Sequence, residues 1–161
     1  MTAKPLVAVT GASSGIGEAT ARAFSAAGHP VLLMARRIDR LEAMRLPNSI
    51  CRQVDVRDRA VLTAAVREAE SKFGPVDMMF ANAGIARLGD IGKQDPADWD
   101  EMIAINVNGV MNSVHAVMSD MMERRHGTLV MMSSIAGRKV YPDHAVYCGT
   151  KYFVQIGRAH V

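Results

Sequence analysis

Five short apolar runs punctuate the chain, and longer stretches with helical spacing separate them. "PLVAVT" (5–10), "PVLLMA" (30–35), "ICRQVD" (50–55), "VDMMFA" (76–81) and "TLVMMS" (128–133) have the length of strands. Their nearly unbroken apolar character predicts strands buried on both faces. Residues 15–28, 37–45, 58–73 and 96–124 carry apolar side chains three and four apart, which predicts helices. The last of these opens with "DPADW": Asp95 suits a cap, Pro96 the first helical position, and Asp98 the positive helix end. It is long enough that a bend or break is expected near Gly109.

Strand–helix–strand alternation with such strands implies a parallel sheet with helices on both faces, a three-layer α/β/α arrangement. Right-handed crossovers restrict it to a doubly wound, Rossmann-type fold with strand order 3-2-1-4-5, and ligands belong at the carboxyl ends of the strands. No repeat, linker or low-complexity stretch divides the chain, so residues 1–154 are expected to form one domain.

Composition changes this picture little. Of 161 residues, 49% are hydrophobic and 22% charged, enough apolar material for a core. The net charge of +3 is spread thinly. Arginines such as Arg22, Arg57 and Arg67 lie among acids, so nucleic acid is not an expected partner. Cys51 and Cys148 lack metal spacing, no metal site is expected, and a reducing cytoplasm fits best. Neither a signal peptide nor a membrane span is expected. The twelve methionines read as adaptable core filler.

The chemistry begins at "TGASSGIG" (10–17), which follows the first strand and opens the first helix. Glycines there let the backbone approach a pyrophosphate, and the helix end offers free N–H groups and positive potential. A three-glycine loop alone could be a tight turn; the strand–loop–helix context favours a dinucleotide cradle. About 20 residues beyond such a loop, an acid would bind the ribose 2′-hydroxyl of NAD. This chain has Arg36 and Arg37 instead. A guanidinium can pair with a 2′-phosphate, so NADP(H) is expected over NAD(H), unless the arginines merely face solvent.

Taken together, Thr10-Gly11-x-x-x-Gly15-x-Gly17, "NAG" at 82–84, Ile105-Asn106, Ser134 and Tyr147-x-x-x-Lys151 resemble the short-chain dehydrogenases/reductases, in that family's order and spacing. The resemblance reaches essentially from the start of the chain to Lys151. It implies that Gly11, Ser13, Ser14, Gly15, Ile16 and Gly17 cradle the cofactor, with Asp55 and Val56 beside the adenine. Asn82, Ala83 and Gly84 would shape the end of the fourth strand near the ribose. Asn106, Ser134, Tyr147 and Lys151 would form a catalytic tetrad. Lys151 would also hold the nicotinamide ribose, and Asn106 would support a water that relays protons. Ala81 stands where the family often has a second asparagine, a mild departure.

The residues make chemical sense on their own. Reducing a carbonyl requires a hydride and a proton; oxidising an alcohol requires the reverse. A tyrosine of ordinary pKa (~10) is a poor base at neutral pH, and a nearby ammonium favours its phenolate. The i, i+4 spacing of Tyr147 and Lys151 points both side chains the same way on a helix. A serine hydroxyl can polarise the substrate oxygen as an oxyanion donor would. Family spacing selects Ser134 over Ser133, and Tyr147 over Tyr141 and Tyr152. His115, His126 and His144 lack metal spacing and read as surface or loop residues, with substrate contact the lesser alternative for His144, close to the expected cleft.

The expected activity is therefore hydride transfer between NADP(H) and a small carbonyl or alcohol. "ARRIDRLEAM", "DVRDRA", "DWDEMIAINVNG" and "RRHGTLVMMSS" look most like family members acting on short 3-hydroxy acids and related aldehydes. A 3-ketoacyl thioester reductase and a non-catalytic NADP(H)-binding sensor are the alternatives. Relatives are usually homotetramers or homodimers, so an oligomer is expected of the full-length protein. The family usually continues with two more strands and a loop that closes over substrate. The chain is thus expected to be incomplete at its C-terminus, to expose the fifth strand as an apolar edge, and to be inactive alone. "QIGRAHV" (155–161) back-translates to a common sequencing adapter and is expected to be a non-native tail.

Overall fold

The computed structural model describes residues 4–157. Of the tail expected to be foreign, residues 155–157 are the end of the last helix and 158–161 lie outside the described residues. Five parallel strands form one sheet in the order β3-β2-β1-β4-β5. They are β1 (Leu6–Thr10), β2 (Val31–Ala35), β3 (Ser49–Gln53), β4 (Val76–Ala81) and β5 (Thr128–Met131). Between and after them run α1 (Gly15–Ala26), α2 (Ile38–Ala43), α3 (Arg59–Phe73), α4 (Pro96–Ile103), α5 (Gly109–Arg124) and α6 (Ala145–Gly157). The doubly wound fold expected from the apolar pattern is the fold observed.

Alternation along the strands sorts the core into two layers. Val7, Val9, Val31 and Leu33 point to one face, where Ala21 of α1 and Leu41 of α2 cover them. Leu6, Ala8, Leu32 and Met34 point to the other, beneath Leu62 and Val66 of α3 and Val117 of α5. On β4 the alternation slips: Val76 and Met79 share a layer although three residues apart. A register shift between Leu6 and Val7 against β4 accounts for this. Farther along the second face, Val154 of α6 packs with Ala81 and Val110.

The termini of the elements differ from the expected ones for local reasons. α2 ends at Ala43, ahead of Arg45 and Asn48, which adopt left-handed backbone that no helix continues. β5 ends at Met131, yet Met132 N–H still reaches the Ala81 carbonyl at 3.0 Å before the chain turns away. The stretch 96–124 is helical throughout; in place of a break at Gly109 there is one wide π-helical turn, Ala104–Asn108. Its start is capped as the sequence predicts, with the Asp95 carboxylate accepting Ala97 N–H at 2.9 Å and Pro96 in the first position. Among the described residues no helix is long and apolar enough to cross a membrane.

Candidate active site

The carboxyl ends of β1 and β4 are fastened by a single hydroxyl. Thr10 Oγ1 accepts the N–H groups of Asn82 (3.0 Å) and Ala83 (3.2 Å). Asn82 Nδ2 returns a bond to the Thr10 carbonyl at 3.1 Å. Onto this junction the loop after β1 packs too closely for side chains. A Cβ on Gly11, whose φ is +66°, would lie 2.8 Å from Ala83 Cα; one on Gly17 would lie 2.4 Å from the Gly11 carbonyl oxygen. Around Gly15 there is open space. The result is a bare backbone wall at the start of α1, the arrangement that receives phosphate at a helix N-terminus.

This wall opens into a cleft of about 790 Å³. Gly11, Ser13, Ser14 and Ile16 form one side; Asp55, Val56, Asn82, Ala83 and Gly84 continue around it. Arg36 and Arg37 both line it. Both are exposed and differ in attachment: Arg37 Nη2 donates to Ser13 Oγ and Ser14 Oγ, each at 3.0 Å, whereas the Arg36 guanidinium makes no hydrogen bond among the described residues and lies 4.0 Å from Glu101. The Arg57 guanidinium bonded to Asp55 holds that carboxyl below the ordinary carboxylate range. Val56 is wedged against α5, since a Cβ on Gly109 would strike Val56 Cγ2 at 2.5 Å. Asn112 of α5 fixes the same residue by donating to the Val56 carbonyl at 2.8 Å.

At the other end of the cleft stand Ser133, Ser134, Tyr147 and Lys151. Lys151 is 5% exposed, and burial lowers its pKa from the ordinary lysine value. Its Nζ donates to the Met132 carbonyl at 2.8 Å and lies 5.8 Å from the centre of the Tyr147 ring. An ammonium carries three donors; among the described residues Met132 is the one acceptor it has. Ser134 Oγ accepts Ala136 N–H at 3.1 Å, capping a short 3₁₀ turn, Ile135–Gly137. Ser133 Oγ is turned to the Lys151 carbonyl at 3.1 Å, which locks α6 to the end of β5.

Asn106 sits in the wide turn, fully buried and behind the cleft wall. Its Oδ1 accepts Ile85 N–H at 2.8 Å, and its Nδ2 donates to the Ile85 carbonyl at 2.8 Å and Thr150 Oγ1 at 3.1 Å. The side chain thereby joins the loop after β4 to α6. Gly84 is confined between these groups, because a Cβ there would lie 3.2 Å from Asn106 Oδ1 and 3.5 Å from Lys151 Nζ.

The structure brings the sequence-predicted residues to one cleft or its wall. Gly17 and Asn106 support the wall rather than line it, and Gly15 stands beside open space outside the lining. Tyr141 and Tyr152, the rival tyrosines, do not line the cleft. Sequence reasoning missed the parts played by Thr10, Ile85, Met132 and Thr150. For Thr10 a signal existed, a hydroxyl closing an otherwise apolar strand. Ile85 and Met132 act through their backbones, which no side-chain pattern announces.

The fold and cleft define a dinucleotide-type α/β domain, and comparison with known proteins gives it a family. The family described as short chain dehydrogenase matches residues 5–156. The chain is 40% identical over 157 residues to a sulfoacetaldehyde reductase of Chromohalobacter salexigens, covering 92% of this chain and 62% of that protein. It is 36% identical over 154 residues to an NADP-dependent 3-hydroxy acid dehydrogenase of Salmonella typhimurium, covering 93% and 62%. An Escherichia coli serine dehydrogenase structure superposes with a TM-score of 0.90 at 34% identity, covering 94% of this chain and 72% of that one. The protein belongs to the short-chain dehydrogenase/reductase family of oxidoreductases. The chain spans about three-fifths of the length of the two named bacterial relatives, 62% of each.

Proposed function

We infer that the protein is an NADP(H)-dependent oxidoreductase that interconverts a small carbonyl compound and its alcohol. The observation that carries this reading is the buried Lys151 ammonium facing the Tyr147 ring at the open end of the glycine-walled cleft. The residues present fit a nicotinamide dinucleotide. Gly11 and Gly17 leave a backbone surface with no side chain to exclude a pyrophosphate. Arg36 and Arg37 supply guanidinium groups where a 2′-phosphate would be recognised, and Lys151 retains donors for a ribose. Two relatives bear on the choice of cofactor: one named as NADP-dependent, and a serine dehydrogenase whose structure holds NADP+.

When bound, the nicotinamide supplies or accepts the hydride; the protein handles the proton and the developing charge. In reduction, the Tyr147 hydroxyl donates its proton to the carbonyl oxygen as the carbon gains the hydride, giving the alcohol. The Ser134 hydroxyl donates a hydrogen bond to the same oxygen and fixes its direction. Lys151 places positive charge beside the ring that is left negative. Asn106 holds Ile85 and the end of α6 in register, so that the loop after β4 and the Tyr147–Lys151 pair keep their spacing. Oxidation runs the same proton backwards.

The test is cofactor oxidation by the full-length protein across a panel of short aldehydes and ketones. Tyr147→Phe is expected to lower kcat by about 10²–10⁴-fold with little change in cofactor affinity, the range that general acid catalysis contributes. A Tyr147→Phe enzyme of undiminished kcat would overturn the reading.

A further inference from the structure

Behind the end of β3 lies a buried amide that the proposed reaction does not use. Asn112, in the first turn of α5, is 3% exposed. Its Nδ2 donates to the Val56 carbonyl at 2.8 Å and to the Arg57 carbonyl at 3.4 Å. Its Oδ1 accepts Arg59 Nε at 2.8 Å. Both amide protons are therefore committed to the loop between β3 and α3, and the guanidinium decides which end of the amide faces that loop. A helix can come this near to Val56 because Gly109, one turn earlier, has no side chain to meet it.

The loop so held leaves one backbone donor open. Asp55 and Val56 both line the cleft. The Asp55 carboxylate is bonded by the N–H and the guanidinium of Arg57, and the Asp55 carbonyl accepts Asp58 N–H at 2.9 Å. The Val56 carbonyl is taken by Asn112 and its side chain is wedged against α5. Val56 N–H makes no hydrogen bond among the described residues. The cleft crosses the sheet in a fixed order, with Tyr147 and Lys151 beyond β5, the glycine wall after β1, Arg36 and Arg37 after β2, and Asp55 and Val56 after β3. A dinucleotide with its nicotinamide at Tyr147 and its 2′-phosphate at the arginines brings its adenine to the end of β3. A lone N–H there suits a base whose facing ring nitrogen accepts, and opposes one whose ring nitrogen carries a proton.

We infer that Asn112 is a positioning residue for the adenine end of the cofactor: by holding the Val56 carbonyl it aims the Val56 N–H at the ring nitrogen beside the amino group of the base. The inference rests on the NADP(H) reading above and extends it from the 2′-phosphate to the base. Arg59 acts one step further out, by keeping Oδ1 of Asn112 turned away from the loop carbonyls. Neither residue lines the cleft, so each works through Val56.

Calorimetric titration of the full-length protein with NADPH and with its hypoxanthine analogue provides the test. The analogue exchanges the amino group of adenine for oxygen and places a proton on the adjacent ring nitrogen. The readout is the ratio of the two Kd values. In the wild type the analogue is expected to bind about tenfold more weakly, the size of one opposed hydrogen bond. Asn112→Asp keeps the bond to Arg59 but sets an acceptor against the Val56 carbonyl; it is expected to weaken NADPH binding and to bring the ratio down to about threefold or less. Arg59→Met, at an exposed position, is expected to lower the ratio about twofold. The preference for NADPH over NADH should persist in both variants, because Arg36 and Arg37 are untouched. Melting curves establish that each variant folds, and should Asn112→Asp not fold, Arg59→Met decides alone. A base ratio unmoved in the folded variants overturns the inference, as does a wild type that binds both bases equally; the NADP(H) reading stands in either case. Parallel loss of base and 2′-phosphate preference gives Asn112 a general structural role and also overturns it. A wild type that binds neither dinucleotide removes both.

Discussion

Lys151 illustrates how a single side chain links folding to chemistry. Burial disfavours its charged form, so its pKa in the folded protein lies below that of a free lysine. Between those two values the unfolded chain binds more protons than the folded one, and stability therefore rises with pH across that window. Below the window the buried charge is a standing cost; above it the cost is gone. Substituting Lys151→Met removes the titration while keeping the aliphatic stem. Denaturant melts of wild type and variant between neutral pH and pH ~10.5 should show the wild type gaining stability relative to Lys151→Met as pH rises. The difference isolates one group, because every other lysine and tyrosine is common to both proteins. Identical pH dependence in the two would mean that the ammonium is not penalised by its surroundings. Lys151→Met is also expected to be inactive, a residue that stability would discard and catalysis retains.

Among the elements, the wide turn Ala104–Asn108 has the most consequence for the cleft. It turns the Asn106 side chain inward toward Ile85 and Thr150. It also leads into Gly109, whose missing side chain lets α5 approach Val56. A methyl group at Gly109 would overlap Val56, so Gly109→Ala is expected to cost about 1–3 kcal/mol, as overpacking does. Val56→Ala clears the same space, and the pair should therefore be less destabilised than the sum of the two single changes. Additive losses in denaturant unfolding would show that the two side chains do not meet. The form of this turn and its contact with Val56 were not legible beforehand. An apolar pattern spaced at three and four reports a helix over 96–124, but widening by one residue leaves that pattern nearly intact, so the turn surfaced only as a bend placed at Gly109. By contrast, the ends of β1 and β4, the glycine loop and the Tyr147–Lys151 pair were readable, because each rests on residue type at fixed spacing along one element. What the sequence withheld are contacts between elements, such as Arg37 with Ser13 and Ser14, and those that run through backbone groups, such as Lys151 with Met132.

Over the whole molecule, the cleft is a seam beyond the carboxyl ends of all five strands, and a ligand lying in it touches segments far apart in sequence. Binding to the folded state alone stabilises it, by about 2.7 kcal/mol when the ligand is at a hundred times its Kd. For a chain of this size that corresponds to a rise in melting temperature of roughly 5–10 °C. The proposed cofactor preference then becomes measurable without any substrate. NADP+ should raise the melting temperature well above the rise given by NAD+ at equal concentration, since the two differ only by the 2′-phosphate that Arg36 and Arg37 would receive. Arg37→Met should bring the two shifts together, and should do so more completely than Arg36→Met, because the Arg37 guanidinium is already oriented by Ser13 and Ser14 while that of Arg36 has only a 4.0 Å ion pair with Glu101. Equal shifts for NADP+ and NAD+ in the wild type would show that the two arginines face solvent, and would reassign the cofactor.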